Sequence, residues 1–498
     1  MHRFAAIPVL LALVVAACAP VPPVGLAPVR TPSEEAIEER IDAILARPEL
    51  APTNVGFAVW SLDRNAWLVE RNADKLFVPA STAKLLLAVA TLHTFGPAAA
   101  FKTLLLADRE RSLARDDSVL ASNLYLVGGG NPDLSTGDLM DLAERLRAIG
   151  IRHVQGNLVL DATHFDSTAF GPGWMWDETA YPYSARVNAF MLNGNTVRIT
   201  IRPGKTVGDT VRVAVSPRSA GLPLAVNATT RSDTTSGPPL WVTRAGDLPV
   251  TVVGGSMLIG SSPVVVTRTV PDAAAYAGSV FLDALASVGM SVEGGLAFGV
   301  APDDSAQVVA VASSAPTDLL VRRLLKESDN LVGETLVKQL GRRVNGEGSW
   351  PAGLSAVRRS LAAFAGLDST AYCLADGSGL SRYTQVSPRM IVRVIARACD
   401  EFTVAPEFLS ALAIAGVDGT LARRLTDGDV AGYVRGKTGS MSSVSSLSGV
   451  LVTKAGERLT FSLIMNGFVG SSAQVRGAQD DLVRLLRRYP PPRKASSR

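Results

Sequence analysis

Ser81 and Lys84 stand three residues apart in Pro79-Ala80-Ser81-Thr82-Ala83-Lys84, directly before the apolar run Leu85 to Leu92. The run predicts a buried helix starting here, and positions i and i+3 share one helix face. Ser81 then sits at the helix N-terminus, where free amide N–H groups and the helix dipole favour negative charge. Lys84 stands one turn behind it. An amine whose charged form is desolvated or repelled becomes a base near neutral pH and takes a proton from a neighbouring hydroxyl. The pair is a serine nucleophile with a lysine base, and it needs no histidine. Alone the spacing is weak, because a cap serine beside a solvated lysine has the same pattern.

Two further triplets strengthen it. Ser328-Asp329-Asn330 forms a polar break between the helically spaced Leu320, Leu324, Leu325 and the following Leu331, Val332. Lys437-Thr438-Gly439 opens the predicted strand pair near the C-terminus. S-x-x-K, then S-D-N, then K-T-G is the order of the penicillin-interactive serine enzymes. Each residue has a physical task. Ser81 attacks a carbonyl carbon and forms an acyl-enzyme, and Lys84 takes its proton. Ser328 relays a proton toward the leaving amine, and Asn330 holds the Lys84 amine and a substrate amide. Lys437 supplies positive potential and the Thr438 hydroxyl binds a substrate carboxylate. Gly439 lets a substrate backbone come close to the strand edge. A Ser-His-Asp triad has little support, since no G-x-S-x-G elbow is present. Gly128-Gly129-Gly130 lacks the Lys-Ser/Thr ending of a phosphate loop and predicts a tight turn.

The elements around these residues predict an α+β layer domain. A first helix begins at Thr31-Pro32-Ser33-Glu34, with Thr31 as cap and Glu34 as its capping-box partner. Strands follow at Val55–Leu62 and Ala66–Glu70, and then the Ser81 helix. From about residue 97 to Val311 the texture is β-rich, with strands at 197–202, 211–215 and 248–253. Helical texture returns after Pro316, with a helix at Pro388–Cys399, strands near Val444–Val452 and Arg458–Asn466, and a last helix over 472–487. Each half looks incomplete alone. The expected organisation is a catalytic domain of residues 33–96 and 312–488, split by inserted subdomains at 97–311.

The flanking segments carry signals of their own. Phe4 to Ala17 is an apolar run behind His2 and Arg3, too short for a spanning helix and shaped like an export signal. Val15-Ala16-Ala17-Cys18 resembles a bacterial lipoprotein box, which implies removal of residues 1–17 and lipidation of Cys18. An ordinary secretory signal that happens to hold a cysteine is the alternative. Residues 18–32, rich in Pro, Ala and Val, form a tether, and 489–498 form a basic tail. Ala19 after Cys18 favours the outer membrane. Export leaves Cys373 and Cys399 as one disulfide or as two buried thiols, and the sequence does not choose. A net charge of +4 with no basic stripe gives no sign of nucleic-acid binding. The 4 histidines form no metal-spaced cluster, so a zinc hydrolase is not expected. The chemistry calls for no metal or organic cofactor.

With these motifs the chain resembles the class C low-molecular-mass penicillin-binding proteins, the serine D-alanyl-D-alanine carboxypeptidase/endopeptidase family. The resemblance runs from about residue 53 to 488. It includes Gly128-Gly129-Gly130-Asn131-Pro132, Gly173-Trp174-Met175-Trp176-Asp177, Asp376-Gly377-Ser378-Gly379-Leu380-Ser381-Arg382 and Gly416-Val417-Asp418-Gly419-Thr420-Leu421. It implies a transpeptidase-like domain with two inserted subdomains, acting on peptidoglycan stem peptides and acylated by β-lactams in the periplasm. By analogy, the backbone N–H groups of Ser81 and Ser440 form the oxyanion hole. The family often has threonine where this chain has Ser440. Asp161 aligns with an acid that in relatives faces the free amine of the substrate side chain; a strand-end turn aspartate is the other reading. Ser378 and Arg382 either border the cleft or serve the loop. The rivals are a serine β-lactamase, which needs fast deacylation, and a wall-binding lipoprotein with a decayed site.

Overall fold

The protein is described by a computed structural model covering residues 32–108, 118–218, 221–235, 237–244, 248–302 and 306–490. Cys18, Thr31, the tether before residue 32 and the tail beyond 490 lie outside the described residues.

A six-stranded antiparallel sheet carries the catalytic half. Its order is Ala413–Ile414, Val434–Met441, Val444–Val452, Arg458–Asn466, Asn54–Ser61 and Ala66–Arg71. The N-terminal hairpin is thus an extension of a C-terminal sheet, joined where Ala58 pairs with Ser462. Strand alternation divides the apolar residues between two layers. Phe57, Val59, Leu463 and Met465 pack with Ile37 and Ile41 of the helix Pro32–Leu45 and with Leu482 and Leu486 of the helix Ser472–Arg487. Ile464 points the other way, into a larger core with Leu86, Leu324, Leu336 and Ile395. At the centre of that core runs the helix Lys84–Phe95, buried at every position from Lys84 to Leu92. Such a helix is apolar all round because it has no solvent face.

The segment between this helix and the helix Thr317–Lys326 holds its own core, built from residues such as Leu126, Leu142, Leu160 and Phe281. One part is a five-stranded mixed sheet, in the order Leu296–Phe298, Leu158–Asp161, Leu124–Gly128, Lys102–Asp108 and Ala306–Ser313. The other part is all strand, including the sheet Val264–Thr269, Thr196–Arg202, Arg212–Ser216. The sequence texture of this segment reads as β throughout, yet it contains two helices, Thr136–Ala148 and Ala273–Ser287. The first has a full capping box between Ser135 and Asp138. The second is rich in alanine and buried on most sides, so its helical period is faint. Phe101, Phe165, Ala189 and Met191 leave the segment's own core and pack into the catalytic one.

Other elements differ in detail from expectation. The helix Trp350–Ala365 is unannounced by the sequence motifs, and the strand expected over 248–253 is Thr251–Gly254. The glycine run at 128–130 is a packed turn, with Gln339 Nε2 donating to the Gly129 carbonyl at 2.7 Å. Cys373 and Cys399 are both free thiols, the first exposed and the second half-buried. Burial pushes the Cys399 thiol up to about 12.

Candidate active site

Ser81 lies in a single 3₁₀ turn, Ala80–Ala83, and the α-helix begins at Lys84. The sequence places Ser81 at the N-terminus of the helix; the structure sets it in a 3₁₀ turn just before the helix, and the tighter turn improves the geometry. Side chains three apart nearly eclipse in a 3₁₀ turn, and Lys84 Nζ stands 2.9 Å from Ser81 Oγ. The turn is held from both sides. Thr82 Oγ1 and Ser446 Oγ both donate to the Pro79 carbonyl, at 2.8 and 2.6 Å. Ala80 has a φ of 48°, outside the usual range for alanine.

Two glycines make this clamping possible. A Cβ on Gly379, whose φ is +76°, would lie 2.0 Å from the Ala80 carbonyl oxygen. A Cβ on Gly439 would lie 2.2 Å from Ser446 Oγ, 2.7 Å from the Pro79 oxygen and 3.0 Å from Ser81 N. From the sequence, Gly439 is expected to admit a substrate backbone. The structure supplies a nearer reason: the strand must pass against the turn that carries Ser81.

Lys84 is fully buried, and its amine donates to Ser81 Oγ, Asn330 Oδ1 at 2.6 Å and the Ser378 carbonyl at 2.8 Å. Burial lowers its pKa to about 8, against the opposing pull of Glu334, Asp376 and Asp329. An appreciable neutral fraction therefore exists at neutral pH.

Ser328-Asp329-Asn330 is the joint between two helices, Thr317–Lys326 and Asn330–Asn345. Asp329 caps the second by accepting from Val332 N at 3.0 Å. Ser328 takes a φ of 63°, a left-handed conformation costly for serine. Its hydroxyl accepts from Lys437 Nζ at 2.8 Å. Asn330 spans the site: its Oδ1 accepts from Lys84, and its Nδ2 donates to the Tyr183 carbonyl at 2.8 Å. Lys437-Thr438-Gly439 lies inside the strand Val434–Met441 rather than opening the pair, because three strand residues precede it. Lys437 is also fully buried and donates to the Thr438 carbonyl at 2.7 Å. Burial, then the nearby Lys84 charge, pushes its amine well down. Thr438 is half-buried and Ser440 exposed. The short strand Ala413–Ile414 covers only Arg435 and Gly436. From Lys437 to Met441 that edge has no partner strand among the described residues.

Sequence reasoning missed the frame behind these groups. Glu334, one turn after Asn330 on the same helix, is fully buried. Its carboxylate accepts from Trp350 Nε1 at 2.7 Å, Ser378 N at 2.7 Å and Gly377 N at 3.0 Å. Burial, then the Asp376 charge, raises it to about 7. Asp376 accepts from Ser381 N at 2.7 Å, Gly379 N at 3.1 Å and Trp174 Nε1 at 3.1 Å. These two acids fix the loop whose Ser378 carbonyl receives Lys84. The i+4 spacing of Glu334 from Asn330 was the available signal. Arg382 is exposed and donates to the Ser442 carbonyl at 3.0 Å. Asp161 is only 4 % exposed. Its Oδ1 accepts from Thr163 N and Oγ1, at 2.9 and 2.7 Å, and its Oδ2 accepts from Ala301 N at 2.8 Å. This is an aspartate turn at a strand end, and none of these bonds reaches the Ser81 cluster.

A hydroxyl beside a buried, partly neutral amine, with a second serine–lysine pair across an open strand edge, is equipped for acyl transfer. Comparison with known proteins bears on which acyl transfer. The model of the D-Ala-D-Ala carboxypeptidase 3 (S13) family matches residues 37–489. The chain belongs to the S13 family. It is 34% identical over 454 residues to a D-alanyl-D-alanine carboxypeptidase of Actinomadura sp. (strain R39), covering 87% of this chain and 81% of that one. The D-alanyl-D-alanine carboxypeptidase DacB of Haemophilus influenzae is 27% identical over 448 residues, covering 87% and 90%. Among solved structures, penicillin binding protein 4 (dacB) of Haemophilus influenzae superposes with a TM-score of 0.81 at 25% identity, over 90% of this chain and 99% of that one. The fold is therefore the α+β penicillin-binding type with an additional β-rich region, and this S13 protein is a serine hydrolase. Among its described residues no helix is long and apolar enough to cross a membrane.

Proposed function

We propose that this S13 protein hydrolyses D-alanyl-D-alanine peptide bonds of peptidoglycan stem peptides through an acyl group on Ser81. The observation that carries the assignment is Lys84 Nζ, fully buried, held near a pKa of 8 and 2.9 Å from Ser81 Oγ. Neutral Lys84 takes the Ser81 proton as Oγ bonds to the carbonyl carbon of the penultimate D-alanine. The C–N bond breaks, and the departing amine takes its proton from Ser328, which Lys437 resupplies across 2.8 Å. Lys84 then gives the proton it took to solvent and Lys437 regains one, which restores both amines. Water attacks the ester and passes its proton to neutral Lys84, which returns it to Ser81 Oγ as the acyl C–O bond breaks. The edge from Lys437 to Met441, unpaired among the described residues, can take the substrate as an added strand, with the Thr438 hydroxyl at the terminal carboxylate and Gly439 against the backbone. The N–H groups of Ser81 and Ser440 are assigned to the oxyanion. Burial pushes the Lys437 amine well down, and an arriving carboxylate favours its ammonium form. β-Lactams acylate the same hydroxyl.

The catalytic domain is assigned to residues 33–96 and 312–488, and the inserted subdomains to 97–311. The lipoprotein box supports a periplasmic location with a lipid anchor through Cys18, and Ala19 favours the outer over the inner membrane. Labelled palmitate should enter the wild type and not Cys18→Ser; label in both would refute the anchor.

The decisive comparison is wild type against Ser81→Ala, following fluorescent-penicillin labelling and D-alanine release from a stem pentapeptide. Both should vanish in the variant. Full release by Ser81→Ala would overturn the mechanism, and sustained turnover of penicillin by the wild type would make it a β-lactamase instead.

A further inference from the structure

A cavity of about 480 Å³ lies at the start of the strand Val434–Met441, where Gly432, Tyr433 and Arg435 meet the end of its neighbour Val444–Val452. The residues Lys437 to Gly439 occupy the later part of the same strand, and none of them lines this space. Two helices close it. Pro388–Asp400 contributes Cys399 from its last turn, and the short helix Ala405–Ala411 contributes Pro406, Leu409 and Ser410. Leu62, Leu409, Tyr433, Val450 and Val452 make the lining mainly apolar. Burial holds the Cys399 thiol up at about 12, so it serves as wall rather than as a nucleophile. Arg487, which is not part of the lining, steadies the wall. Its guanidinium lies 3.9 Å from the centre of the Tyr433 ring, and its Nη1 donates to the Val452 carbonyl at 2.8 Å.

Two guanidinium groups interrupt the apolar lining, and their circumstances differ. Arg458 is paired, Nη2 standing 2.7 Å from Asp63 Oδ1. Arg435 is half-buried and its Nη1 donates to the Leu409 carbonyl at 3.2 Å. Among the described residues no carboxylate pairs with Arg435. The cavity therefore holds one unbalanced positive charge beside an apolar wall. Its volume falls in the range of about 300–1,000 Å³ typical of small-molecule sites, which combine such walls with a few fixed polar groups. A single guanidinium fork matches a planar carboxylate of one charge. A chain of methylenes behind that head gains by leaving water for the wall.

We propose that this cavity binds a single-chain aliphatic carboxylate, with its head on Arg435 and its chain along Leu409, Tyr433, Val450 and Val452. The site is separate from the Ser81 cluster and goes beyond the peptidase function. Its occupant joins the helix Ala405–Ala411 to the strand that carries Lys437.

The test uses the full-length protein and isothermal titration calorimetry with octanoate, octanol and acetate. Wild type should bind one octanoate per chain, octanol about tenfold more weakly, and acetate not measurably. Arg435→Gln should bind octanoate only as tightly as octanol, and Arg435→Lys should keep part of the preference. Ser410 is exposed and lines the cavity. Ser410→Trp should therefore fill the space and lose both ligands while keeping the wild-type circular dichroism spectrum. Equal affinity of wild type for octanoate and octanol overturns the site, as does octanoate binding that is unchanged in Arg435→Gln or in Ser410→Trp. Absence of saturable octanoate binding to wild type overturns it as well. Should Arg435→Gln fail to fold, the wild-type comparison and Ser410→Trp still decide.

Discussion

The base at Lys84 has a pH signature that can be worked out beforehand. With a pKa of about 8, about 9 % of the amine is neutral at pH 7; for an ordinary lysine at 10.5 the share is about 0.03 %. Burial thus raises the reactive fraction about 300-fold at neutral pH. From pH 7 to 9 that fraction should climb about tenfold and then level off, whereas an unperturbed lysine would climb about 100-fold with no plateau. The assay is the second-order rate constant for acylation of Ser81 by fluorescent penicillin, measured by stopped flow from pH 6 to 10. Removing charge next to Lys84 checks the cause. Glu334 favours the charged amine, so Glu334→Gln should move the midpoint below that of wild type. A profile flat from pH 6 to 9, or one still rising tenfold per unit at pH 10, refutes Lys84 as the base described. A midpoint that rises in Glu334→Gln refutes the electrostatic account.

Glu334 should also leave its mark on stability. Its folded value of about 7 lies above the ordinary glutamate value of 4.5, so the native state binds the extra proton between those pH values. Its contribution is full below 4.5 and is lost as pH rises through 7, a loss of about 3 kcal/mol relative to Glu334→Gln. Urea denaturation of both proteins at intervals from pH 4.5 to 8 reads the difference, and parallel curves would contradict it. Lys84 has the opposite sign: its cost is full below 8 and is relieved as pH climbs toward 10.5. Trp350→Phe removes the indole donor to Glu334 Oε2 and should cost about 2 kcal/mol by the same denaturation. Gly439→Ala puts a methyl against Pro79 O and Ser81 N, so acylation should fall roughly 100-fold. Adding Ser446→Ala should not restore the rate, since the backbone atoms remain; full restoration would place the obstruction at the Ser446 hydroxyl alone.

The sequence was most legible where one pattern controls the outcome. Strands Val444–Val452 and Arg458–Asn466 and the helix starting at Ser472 fall where composition and period put them. The hairpin at 54–71 is similarly clear, with Asn65 taking its positive φ at the turn. The three motifs were readable as motifs, but their mutual geometry was not. Lys84 and Lys437 are both fully buried, against the usual place of lysine, and no local pattern announces that. Glu334 escaped because a glutamate at helical spacing normally reads as a solvated face. The helices Thr136–Ala148 and Ala273–Ser287 were lost in the average texture of a glycine- and threonine-rich segment. Asp161 forms the strand-end turn that was one of its two readings, its oxygens accepting from Thr163 and Ala301.

Ser446 and Pro79, whose bond steadies the nucleophile's turn, are 367 residues apart in the chain. Synthesis proceeds from the N-terminus, so Ser81 and Lys84 emerge long before the strand that must flank them. A chain that ends before residue 434 contains a serine and a lysine at the right spacing, yet it lacks Lys437, the Ser446 hydroxyl and the sheet neighbour of Asn54–Ser61. The nucleophile is therefore competent only in a finished molecule. Incomplete chains should be blind to penicillin, and this tying together of distant segments gives the protein a form of quality control over its own reactivity.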